Sequence, residues 1–158
     1  MRTVTGGAPT QLRDQAVREK RGPALADKVI VLDPSSRSDV AETVYDIAQK
    51  IEGRLIALGV SVFLSRSANS SPNESERIAL ANSTDADLVI SLSIDKYKNA
   101  KAEGLSTYFY GSELHGIHSI VGERFATIVQ RELVARTDLL NSRTHAIVTG
   151  KQIGRAHV

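Results

Sequence analysis

Val29-Ile30-Val31-Leu32-Asp33-Pro34 opens the patterned part of this chain. Four consecutive apolar residues, halted by Asp33-Pro34, read as a short strand buried on both faces. Such strands sit in parallel sheets, where crossover connections cover the sheet with helices. The residues that follow supply one. Val44, Ile47, Ile51, Leu55 and Leu58 recur at three- and four-residue spacing, which predicts a helix over Val40–Leu58 with Gly59 closing it. Val60–Ser65 is a second β-branched and aromatic run.

The alternation continues. Ser71-Pro72-Asn73-Glu74 reads as a helix start, with Ser71 as cap, Pro72 in the first turn and Glu74 completing a capping box, and the helix runs to about Asn82. Leu88-Val89-Ile90-Ser91-Leu92 is a third buried strand within Asp87–Ser93, and Leu105–Tyr110 a fourth after a polar, Lys-rich loop. Ile117–Arg136 reads as a long amphipathic helix with Ile117, Val121, Phe125, Ile128 and Leu133 on its apolar side. The order defines an α/β fold, a mostly parallel twisted sheet with helices on both faces.

The flanks differ. Residues 1–27 are polar and punctuated by Gly6-Gly7, Pro9 and Gly22-Pro23, and read as a linker with a short helix at Gln11–Lys20. The domain is expected over 28–150, with 151–158 as a tail.

Composition excludes several classes. A length of 158 residues with 41% apolar and 24% charged side chains suits one soluble domain. A net charge of +2, no basic helix stripe and few aromatics argue against nucleic acid. The absence of Cys excludes a disulfide framework and any thiolate zinc site. No apolar run approaches the roughly 20 residues of a membrane span. Met1–Asp27 has no signal-like apolar segment, so the expectation is a cytoplasmic protein or one lacking its native N-terminus.

In parallel sheets, ligands gather outside the carboxyl ends of the strands. Asp33–Asp39, Ser65-Arg66-Ser67 and Ser93-Ile94-Asp95 fall there. Asp33, Arg66, Arg77, Asn82 and Asp95 are candidate pocket residues. Arg66, Arg77 and Asn82 also suit a second role, tying loops and helix ends together through their forked donors.

Four stretches, in order over residues 28–95, resemble the zinc-dependent N-acetylmuramoyl-L-alanine amidases. They are Val29–Pro34, Gly59-Val60 through Leu64-Ser65-Arg66, Glu76-Arg77 through Ala81-Asn82, and Ala86–Leu92. Glu52-Gly53-Arg54-Leu55, Leu64-Ser65-Arg66 with Asn69 and Ser71-Pro72, and Val129–Thr137 resemble more closely the actinobacterial CwlM-type branch, whose sites are degenerate.

The resemblance implies hydrolysis of the amide between the muramic acid lactyl group and L-alanine. It implies Zn²⁺ held by His, Glu and His with one position open to water, and a downstream Glu as general base. Ser36 stands at the first His position, in Asp33-Pro34-Ser35-Ser36-Arg37-Ser38, where the family's glycines are also gone. Ser93 stands at the second. Glu42 matches the Glu ligand; it reads equally as a carboxylate favoured by a helix N-terminus. Serine is a poor zinc ligand beside imidazole, so no cofactor is expected, with Zn only if an intact site lies elsewhere in the gene. His115 and His118, spaced by three, lack nearby carboxylates except Glu113, and His145 and His157 are isolated. Ser36 and Ser93 have no paired base to activate them as nucleophiles.

Ile153-Gly154-Arg155-Ala156-His157-Val158 resembles an in-frame translation of a sequencing adapter. The expectation is a non-native tail on an incomplete domain, with a final strand and helix missing and an exposed strand edge remaining. Two functions follow from the resemblance. One is a non-catalytic regulator or binding protein in peptidoglycan metabolism, whose partner is a cytoplasmic synthesis protein or a peptidoglycan fragment. The other is a working zinc amidase represented by a fragment. A cell-wall-binding module is a third class.

Overall fold

The computed structural model describes residues 25–147 apart from 97, 100–102 and 113–116. The helix expected at Gln11–Lys20, the tail at 151–158, His115 and His157 lie outside the described residues. Among the described residues nine elements follow in chain order: β1 (Val29–Pro34), α1 (Ala41–Ala57), β2 (Ser61–Leu64), α2 (Glu74–Ser83), β3 (Leu88–Leu92), β4 (Leu105–Ser112), β5 (Ile117–His118), α3 (Ile120–Arg136) and β6 (Asn141–Ile147).

β1 is the centre of a three-stranded parallel sheet in the order β2-β1-β3, with Leu32 opposite Leu64 on one side and Ile90 on the other. Its side chains alternate between two covered faces. Ile30 and Leu32 pack with Val60 and Leu88 against Ile51 and Leu55 of α1 and Phe125 of α3. Val31 faces the other way and packs with Val89, Ala81 and Ala86 on the side of α2. The continuous apolar run is therefore the consequence of burial on both sides. Val31 and Leu32 are fully buried, and Leu32→Ala should cost about 2–5 kcal/mol in lost transfer energy and cavity.

The strands do not join into one sheet among the described residues. β4 anchors a second sheet, β5-β4-β6, parallel to β6 and antiparallel to β5. β6 was not expected from sequence. Asn141-Ser142-Arg143-Thr144-His145-Ala146-Ile147 carries no apolar run, and its strand identity comes from backbone pairing with Leu105–Tyr110. His145 belongs to this strand, opposite Tyr108.

α1 ends as its sequence predicts. Gly59 has φ +86°, its N–H donates to the Ile56 carbonyl, and the Val60 N–H donates to the Leu55 carbonyl. This is the Schellman closure, which favours glycine because a side chain is strained at positive φ. Val44 and Ala48 carry the buried face, whereas Ile47 and Leu58 turn outward.

Two expectations are corrected. The cap of α2 is Asn73, two residues beyond Ser71: its side chain accepts from the Glu76 N–H at 3.0 Å and Glu76 answers at the Asn73 N–H at 2.8 Å. Asn73 with Glu76 satisfies the same kind of donor pair, two residues further along, that Ser71 with Glu74 would, so the local pattern permitted both registers. The last helix starts at Ile120 with Ser119 as cap, because Ile117 and His118 pair with β4. Its inward row is Gly122, Ala126 and Gln130, while Val121 is 61% exposed and Ile128 43%. Small residues at four-residue spacing let this helix approach β4: Thr107 Oγ1 donates to the Ala126 carbonyl, and Gln130 Nε2 donates to the Leu105 carbonyl at 2.7 Å. Close approach and hydrogen bonding outweigh the apolar stripe here.

Candidate functional site

Polar side chains converge at the carboxyl ends of β1, β2 and β3. Asp33, next to last in β1, is only 6% exposed. A carboxylate buried alone would be heavily penalised, and this one is fully engaged. Oδ1 accepts from Ser65 Oγ at 2.6 Å; Oδ2 accepts from Arg77 Nη1 at 2.6 Å and from Ser91 Oγ at 3.0 Å. Each donor comes from a different element. Ser65 follows β2, Arg77 lies near the start of α2, and Ser91 sits opposite Asp33 in the β1–β3 register.

Arg66 is the second buried charge, 5% exposed. Its guanidinium donates to five carbonyls: Pro34 at 2.9 Å, Ser35 at 3.0 Å, Ala41 at 2.6 Å, and Ser67 and Ala68 each at 3.1 Å. The group also lies over the Tyr45 ring, 5.0 Å from its centroid, a cation–π distance. Planar forked donors suit such a set, which a lysine cannot reproduce. Arg66 thus fixes the segment from Pro34 to Ala41, the stretch that carries Ser36.

Around this frame the outer residues are more exposed. Ser36 is half-buried and accepts from Ser71 Oγ at 2.9 Å. Arg37 reaches three acceptors: Asp39 at 2.7 Å, the Ile94 carbonyl, and Asp95 at 3.6 Å. Lys96 closes on Asp39 at 3.0 Å. Lys96 and, next, Arg37 hold the Asp39 carboxyl below its ordinary aspartate value. Ser93 is exposed just past β3, and Glu42 is exposed in the first turn of α1.

The candidate residues therefore separate. Asp33, Arg66 and Arg77 share one polar frame, and Asp95 joins it from outside through Arg37. Asn82 does not join: it is exposed near the far end of α2, its carbonyl accepting the Asp85 N–H just before β3 begins. Ser91, Arg37 and Tyr45 were not singled out from sequence. Ser91 interrupts an apolar strand but is itself exposed, and the buried group that requires the contact is Asp33.

These residues do not fit Zn²⁺. The two positions that the resemblance gives to imidazoles present neutral hydroxyls, and Ser36 is bonded to another serine. Among the described residues, no three His, Asp or Glu side chains are grouped to hold a metal ion. His118 pairs instead with Glu123 at 3.2 Å on the surface.

Parallel strands with their polar residues gathered at the carboxyl ends, and helices on both faces, define an α/β domain of the kind whose ligand sites lie outside those strand ends. The family follows from comparison: residues 38–149 match the model of the N-acetylmuramoyl-L-alanine amidase domain, and the chain belongs to that family. It is 36% identical to the N-acetylmuramoyl-L-alanine amidase CwlM of Mycobacterium tuberculosis over 90% of its own length, and spans 38% of that relative. Two solved structures share the fold. The catalytic domain of CwlV from Bacillus (Paenibacillus) polymyxa var. colistinus superposes with a TM-score of 0.65 at 17% identity, covering 82% of this chain and 78% of that one. Ami1 of Mycobacterium abscessus superposes with a TM-score of 0.66 at 16% identity, covering 84% and 82%. Among the described residues no helix is long and apolar enough to cross a membrane.

Proposed function

We propose that this chain is a non-catalytic domain of the amidase family, acting as a regulator or binding protein in peptidoglycan metabolism. The observation that supports this most is the donor set. Serines stand where the resemblance requires two histidines, and the loop bearing Ser36 is held by hydrogen bonds to Arg66 and Ser71. A neutral hydroxyl lacks the basic nitrogen lone pair with which an imidazole keeps Zn²⁺ and a water ready for attack. The partner in this reading is a cytoplasmic protein of peptidoglycan synthesis or a peptidoglycan fragment. Recovery of the chain in the cytosolic fraction, with capture of a soluble partner in preference to insoluble peptidoglycan, is expected.

Elemental analysis and a muropeptide assay test the central claim. The purified chain should hold far less than one zinc per molecule and release no peptide from muropeptides. Stoichiometric zinc, lost to a chelator together with amide hydrolysis, would overturn the proposal. The same result would support the second reading, a zinc amidase of which this chain is part, in which Glu42, exposed in the first turn of α1, is the retained ligand.

A further inference from the structure

We propose that Arg37 does the tethering that a bound metal would otherwise do, and locks the loop after β1 to the loop after β3 as a built-in cation. This rests on the non-catalytic reading above and deepens it. The juxtaposition carries it. Arg37 follows Ser36 directly, and its two contacts across the site, the Ile94 carbonyl and Asp95, lie one and two residues past Ser93. The two loops that a metal would join through Ser36 and Ser93, were both histidine, are joined within two residues of those positions by a guanidinium.

The latch has two crossings. Arg37 spans from the β1 loop to Ile94 and Asp95, and Lys96 spans back from the β3 loop to Asp39. Arg37 also bonds Asp39 at 2.7 Å, so both crossings share one carboxylate. The β1 side is preset: the Ser35 N–H donates to the Leu92 carbonyl, the Arg37 N–H donates to Ser35 Oγ, and the Arg37 carbonyl closes a turn by accepting the Val40 N–H. Two cations, Arg37 and Lys96, thus meet two carboxylates, Asp39 and Asp95. The cluster is neutral without any added ion.

Solvent exposure sets what the latch can do. The Arg37 side chain is 43% exposed and that of Lys96 66%, so screening keeps each pair weak. Global stability is therefore the wrong readout. Local opening of the two loops is the right one, because backbone segments open independently of the core.

Hydrogen exchange on the full chain tests this. In Arg37→Met, amides at 36–39 and 93–96 should exchange faster together, by roughly fivefold. Those of β1 and β3 should not change. Asp95→Asn should give a smaller effect on the same two segments, and 1 M NaCl should bring the unaltered chain toward the Arg37→Met rates. Unchanged rates in Arg37→Met, acceleration in only one loop, or acceleration spread evenly over the sheet would each overturn the latch. A zinc arm separates the two readings. Protection of both loops by added zinc in the unaltered chain counts against the non-catalytic reading, whereas the Arg37→Met result alone decides the latch.

Discussion

Arg77 Nη1 stands 2.6 Å from Asp33 Oδ2, and this contact ties α2 to the end of β1 across 44 residues of chain. Asp33 is nearly inaccessible, so its carboxyl oxygens rely on Arg77 and on the hydroxyls of Ser65 and Ser91 for hydrogen bonds that water would otherwise supply. Arg77→Ala should destabilise the domain by about 2–3 kcal/mol, because it strands a buried carboxylate. Asp33→Asn with Arg77→Gln should cost less than the sum of the two single changes, since neither then leaves a full charge behind. Urea unfolding of the four proteins gives the coupling directly.

Arg66 offers a sharper chemical contrast. Arg66→Lys preserves the charge yet cannot serve five carbonyls arranged around the edge of a planar guanidinium. It should cost about 3 kcal/mol and loosen the segment from Pro34 to Ala41, read as faster amide exchange there. A cost within a few tenths of the unaltered chain would mean that the carbonyls find other donors.

The α2 cap separates two registers. Asn73→Ala should lower stability by about 1 kcal/mol, whereas Ser71→Ala should have a smaller effect, since Ser71 bonds Ser36 and not the helix. Thermal melts of the two variants decide between them; equal losses would contradict the observed cap.

Asp39 carries the pH dependence of the outer cluster. Its carboxyl titrates below the ordinary aspartate value, chiefly through Lys96 and then through Arg37. A depressed folded value means that folding favours the charged form. The contribution is fully present above the ordinary aspartate range of about pH 4 and is lost as pH falls through the lower folded value. Lys96→Ala and Arg37→Met should each raise the midpoint of Asp39 toward the ordinary value, Lys96→Ala by more. Carbon-detected NMR titration of the side-chain carboxyl measures both.

The local code of the chain determined much of this protein by itself. Apolar spacing encodes which side of an element meets the core, so the Val29–Leu32 run, the spacing from Val44 to Leu55 and the glycine at 59 identified β1, α1 and its closure. The serines at 36 and 93 were equally plain, since a motif is read position by position. Partner identity was not legible. Ser91 meets Asp33 because strands 58 residues apart pair in one register, and nothing within either strand specifies the other. The inward face of α3 was misjudged for the same reason: contact with β4 selected Gly122, Ala126 and Gln130 over a larger apolar stripe. The Arg37 crossing likewise exists only once β1 and β3 lie side by side. Periodicity is a property of one segment, while the pairing of charges belongs to the space between segments, and only the tertiary structure fills that space.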